Sequence, residues 1–228
     1  MRDVRAHTRK SGAPPPFLSF RQRLLSGQRA SASIANQRAF MLAGPMSRPR
    51  LLPDKSFPSY AYLPGKYPHP VRDPLGHSYR TDPVTVAVGE ELESDVFRWG
   101  IDLFNHGYYW EAHEAWEALW HAAKQSAQHR LFFKGLILLA AAGVKIREGK
   151  RGAVARHAGR AAALFRQIAR VPNGPFETAL GTTLAALAEH AEAAVASPLV
   201  LRKPKPGQPE PVFDFILAPN PRASDRQP

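Results

Sequence analysis

Prolines divide this chain more sharply than any other feature. The sequence contains 22 of them, yet only Pro172 and Pro175 fall between Gly89 and Ala196. Each proline removes a backbone donor and pushes the preceding residue out of the helical region, so long helices are confined to that window. Four segments follow: a leader over 1–50, a Pro/aromatic-rich arm over 51–88 expected to pack on the folded part, a helical domain over 89–196, and a Pro-rich C-terminal arm over 197–228. The first arm carries Phe57, Tyr60, Tyr62, Tyr67 and Tyr79, too many aromatics for a solvated linker.

Within the window, apolar residues recur at helical spacing and predict five helices. Gly89 to His106 places Leu92, Val96, Trp99, Leu103 and Phe104 on one side and ends near Gly107. Tyr108 to Lys124 is strongly aromatic, and Gln128 to Glu148 is apolar all round from Leu131 to Val144 except at Lys134, which marks the central helix. Lys150 to Ala169 turns Val154, Ala158, Ala161, Phe165 and Ile168 inward, and Thr182 to Ala196 closes the set, capped by Thr182 or Thr183. The expected fold is all-α, a compact antiparallel bundle of about five helices with extended Pro-rich arms at both ends. The run Val212 to Leu217 in the second arm is expected to dock as an edge strand or patch.

Charge narrows the partners. Of the formal +12, residues 1–50 supply +9, ten Lys or Arg against Asp3 alone, so the folded part is close to neutral and unsuited to nucleic acid. The leader reads as a disordered tail with translation expected to begin at Met41 or Met46, a nucleic-acid arm or transit peptide being the alternatives. The absence of cysteine excludes disulfides, thiolate metal sites and Cys nucleophiles. The longest apolar run, Leu136 to Val144, is under half of the ~20 residues a membrane span needs, so the expected location is cytoplasmic, with no membrane partner and a homo-oligomer as an option.

The second helix carries the chemistry. An advance of ~100° per residue brings Tyr109, Trp110, His113, Trp116, Glu117 and Trp120 within about 120° of one another, so burying the aromatic face takes an imidazole and a carboxyl group along. Both then need partners. The text HEAWE resembles the HExxH zinc-binding helix with the second histidine replaced by glutamate. His113 and Glu117 are thus two candidate ligands for a divalent metal, with Glu114 beside them, and a third ligand must come from elsewhere. Lys134, the lone charge in its apolar run, is the expected partner of Glu117 if the contact is architectural.

The arm text PHPVRDPLGHS supplies His69, Asp73 and His77, which either cap local turns or fold over the helix and complete a site with His113 and Glu117. Asn105 either ends the first helix or points into the same pocket. The candidate polar site is therefore Asn105, His113, Glu114, Glu117, Trp120, Lys134, His69, Asp73 and His77, with His113, Glu117, His69 and His77 as metal candidates. It reads first as a small-ligand or ion binding or structural site. A metal-dependent hydrolase using the arm histidines, and nucleic-acid binding through the leader, are the alternatives.

The motif F-N-x-G-x-Y-W-E-A-H-E-x-x-E-x-L-W over Phe104 to Trp120, with the following FFKGLILLAAAGVK and the G-A-x-x-x-H-x-x-R-A text of Gly152 to Ala161, resembles the bacterial and archaeal family called domain of unknown function 309. The resemblance covers about residues 90–169 and implies a small all-helical bundle. It marks Asn105, Gly107, Glu111, His113, Glu114, Glu117 and Trp120 as signature positions. The arm PHPVRDPLGHSY is similar to a feature of longer members, the basic leader departs from the pattern, and the resemblance implies no particular activity.

Overall fold

The computed structural model describes residues 48–82, 85–171, 174–196 and 207–219. Residues 1–47 of the leader over 1–50, and its expected nucleic-acid role, lie outside the described residues. Among the described residues six helices form in chain order: α1 (Asp95–Asn105), α2 (Tyr109–Ala122), α3 (Ala127–Arg147), α4 (Arg151–Ile168), α5 (Phe176–Leu180) and α6 (Leu184–Ala196). Among the described residues there is no strand, only an isolated antiparallel bridge between Ala61 and Gly207. The all-α expectation holds, and the helix packing runs α1 on α2, α2 on α3, α3 on α4 and α4 on α6.

Local chemistry sets the boundaries. Ser94 caps α1 by accepting from the Phe97 N–H, so the helix starts six residues later than periodicity suggested. The skipped residues Glu91 and Leu92 are nonetheless buried in turns, which is why they carried a helical-looking pattern. Ser126 caps α3 in the same way through the His129 N–H, and Thr183 Oγ1 accepts from the Ala186 N–H to start α6. The short helix α5, between Pro175 and Gly181, spans too few residues to show a period and was absent from the expectation.

The core lies along α3, where Phe132, Phe133, Leu136, Leu139 and Ala140 are fully buried. Its small residues permit close approach: a Cβ on Gly143 would stand 2.6 Å from the Tyr109 ring. The C-terminal run docks as an apolar patch rather than an edge strand. Phe213 stacks on Phe104 at 5.2 Å, Phe215 stacks on His190 at 4.4 Å, and the Val212 N–H donates to Tyr109 Oη at 2.7 Å. Burial pushes the Tyr109 hydroxyl up to about 12, so it stays a neutral hydrogen-bonding group.

Candidate functional site

Gly107 turns the chain between α1 and α2 at φ +87°, and a Cβ there would meet the Glu210 backbone at 2.5 Å, so this corner suits glycine alone. From that corner α2 carries Glu111, His113, Glu114 and Glu117 in fixed angular order. The buried face is centred on Tyr109, Ala112, Trp116 and Leu119. The expected centre was His113 and Glu117. Both are instead half-buried at the margin, because Trp110 and Trp120, which weighted the apolar direction, are themselves rim residues.

At this margin the ligating atoms of His113, Glu114 and Glu117 all lie within 4.8 Å of one another. His113 Nδ1 is 3.7 Å from Glu114 Oε1, is shielded from solvent, and makes no hydrogen bond among the described residues. The His113 side chain is 24% exposed and that of Glu114 42%, so a solute reaches the group from one side. Trp110 stacks on His113 at 5.8 Å and 19°, and against Trp110 stand two arm rings, Tyr62 at 4.9 Å and His69 at 5.5 Å, both edge-on. The arm therefore holds the ring that holds His113.

The arm histidines do not join the ligand group. His69 Nδ1 accepts from the Val71 and Arg72 N–H groups at 3.3 and 3.4 Å, and Asp73 Oδ1 accepts from the Leu75 N–H at 2.9 Å, the local capping form of the two expectations. His77 Nε2 lies 3.1 Å from Glu111 Oε1, on the next face of α2. Lys134 sits with its Nζ 5.2 Å from the Trp120 ring, beside Arg130 at 4.1 Å, and among the described residues forms no ion pair with Glu117. The cause is direction: Trp120, two residues short of the helix end, presents its face to both cations. Asn105 is committed elsewhere, donating to the Leu217 carbonyl at 2.7 Å and accepting from the Leu217 N–H at 2.9 Å.

Three groups outside the candidate polar site matter here. Glu111 is 6% exposed and receives the Tyr62 N–H at 2.8 Å as well as His77. Arg147, 3% exposed, donates to the Gln208 carbonyl at 2.7 Å; burial lowers its pKa against the opposing charges of Glu111 and Glu210. On α4, burial holds the His157 imidazole below its ordinary pKa, with Lys145, Arg156, Arg160 and His113 adding to the effect. His157 thus favours the neutral form beside a basic helix face, and its buried Nδ1 makes no hydrogen bond among the described residues. The signal for Glu111 was present in the motif, but a single acidic residue in a helix does not announce which remote backbone it will bind.

Among the described residues no helix is long and apolar enough to cross a bilayer. Residues 97–157 match the family model described as a domain of unknown function, DUF309. No curated protein and no solved structure matches the chain.

Proposed function

For a chain that carries a DUF309 domain over residues 97–157, we propose that the function rests on a divalent-cation site formed by His113, Glu114 and Glu117 on α2. The observation that carries this reading is the convergence of one imidazole and two carboxylates within 4.8 Å, with a solvent-shielded His113 Nδ1 that makes no hydrogen bond among the described residues. One nitrogen and two carboxylate donors suit Zn, Mn or Fe(II), and three protein ligands leave further coordination positions for water or a small anionic ligand. Trp110 fixes the His113 ring plane, so the imidazole does not have to be immobilised when the ion arrives. In the cell the site would bind an ion and a small ligand on it; chemistry beyond binding has no group assigned to it here.

Metal-stripped full-length protein titrated with Zn, Mn or Fe(II) should take up one equivalent by calorimetry. His113→Ala or Glu117→Gln should weaken that binding by at least the ~10–100-fold that even outer-sphere losses cost. Absence of stoichiometric uptake, or uptake unchanged in His113→Ala, contradicts the proposal.

A further inference from the structure

The arm and α2 together place three residues in a line apart from the cation group. Ser78 Oγ lies 2.9 Å from His77 Nδ1, and His77 Nε2 lies 3.1 Å from Glu111 Oε1. The side chains of His77 and Glu111 are 9% and 5% exposed, so their contact is withdrawn from water. A carboxylate only accepts, and the same Glu111 oxygen also takes the Tyr62 N–H at 2.8 Å. The neutral imidazole therefore carries its proton on Nε2, which leaves Nδ1 as the acceptor for the Ser78 hydroxyl. That is the tautomer a general base needs, fixed by a buried acid behind it.

The ring cannot drift from this position. Tyr60 packs on it at 4.6 Å, and the Tyr60 hydroxyl both accepts the His77 N–H at 3.3 Å and donates to the Pro68 carbonyl at 2.8 Å. The Ser78 N–H closes the loop onto the Pro70 carbonyl at 3.0 Å. Ser78 itself is partly accessible. Val71 and Leu75 in the loop that it closes, and Tyr67 just before it, are 45%, 79% and 38% exposed, three of the six large hydrophobic residues exposed among the described ones. Apolar side chains in the loop that holds Ser78 favour an apolar acyl chain over a charged one.

We propose that Ser78 is an activated nucleophile, served by His77 and Glu111, that takes the acyl group of carboxylic esters with apolar acyl chains. Ser78 Oγ attacks the ester carbonyl carbon as its proton passes to His77 Nδ1. Collapse of the tetrahedral adduct breaks the bond to the alcohol oxygen, which leaves with that proton and gives an acyl-Ser78. Water then adds to the acyl carbon, His77 Nδ1 takes one of its protons and returns it to Ser78 Oγ, and the carboxylic acid departs. The Glu111 carboxylate, 3.1 Å from Nε2, steadies the imidazolium.

The test uses the full-length chain and alkyl fluorophosphonate probes, read by intact mass and peptide mapping. A single adduct on Ser78 is expected, absent from Ser78→Ala, a variant that removes one hydroxyl and should melt like the parent. His77→Gln and Glu111→Gln should slow labelling, the former by ~10²–10⁴-fold. A long-chain probe should react roughly tenfold faster than a methyl one, the scale of apolar discrimination over a few methylenes, and equal rates would overturn the apolar substrate class. No adduct at Ser78 in the folded parent, or an unchanged rate in both His77→Gln and Glu111→Gln, overturns the activated serine. Chelation should leave labelling intact; its loss would assign the activation to the His113 cation instead and sink the role given to His77.

Discussion

Asp102 shows how much a single carboxylate holds in this protein. It is fully buried on α1, yet it accepts the Leu51 N–H at 2.8 Å, the Leu52 N–H at 2.9 Å and the Arg50 guanidinium at 3.2 Å. Asp102→Ala leaves two backbone donors without an acceptor, each worth ~1–3 kcal/mol, and should lower unfolding free energy by about 3 kcal/mol or more in a urea titration. Asp102→Asn, which keeps one acceptor, should lose less; equal losses would show that charge and not hydrogen bonding sets the effect. Residues of this kind were the least legible in the sequence. Asp102, Asn105, Glu111 and Arg147 bind backbone between 49 and 112 residues away, and nothing local to them encodes the address. His113, Glu114 and Glu117 were legible because one helix brings them together through its own period.

At the scale of elements, the helices with continuous apolar runs were readable to within a residue or two. α3 and α4 fall almost where periodicity put them, because burial on nearly all sides of α3 and a clean stripe on α4 leave no competing register. α2 was readable as a helix but not in its rotation, since apolar counting ranks tryptophan as core although Trp110 and Trp120 finish at the rim under other rings or cations. The rotation is decided by close approach, and Gly143 is where α3 admits Tyr109 of α2. Gly143→Ala forces that ring or the helix to move and should cost ~1–3 kcal/mol, the range for added volume in a packed core, even though alanine is the better helix former. A melt in which Gly143→Ala matches or exceeds the parent would mean that the two helices have slack here, and the fixed rotation of His113 and Glu117 would lose its cause.

Over the described residues as a whole, the helices supply the scaffold while non-helical chain covers parts of α1, α2 and α3. The arm clamps α2 through Glu111, the segment before α1 reaches α3 through Glu91 and His129 at 3.2 Å, and the C-terminal run seals Phe104 and Tyr109. Two of these clamps end on carboxylates, Glu111 and Glu91, and the segment held by Glu91 should be acid-sensitive. Burial, the largest influence on Glu91, raises its pKa, but the Gly89 N–H, its own backbone N–H and His129 together outweigh it and hold the carboxyl below its ordinary value. Glu148 is held down in the same sense, burial being overcome by Lys145 and Lys150. A carboxyl lowered in the folded state gives stability that is complete above its unfolded pKa and is lost as pH falls through the folded one, at most ~1.4 kcal/mol per pH unit for each proton taken up. Melting temperature should therefore hold level down to the ordinary carboxylate range and drop below it. Glu91→Gln should start lower at neutral pH and fall less steeply in acid, so that the two curves approach each other. Parallel curves would show that Glu91 does not contribute to the acid response, and that the segment it anchors is held by packing alone.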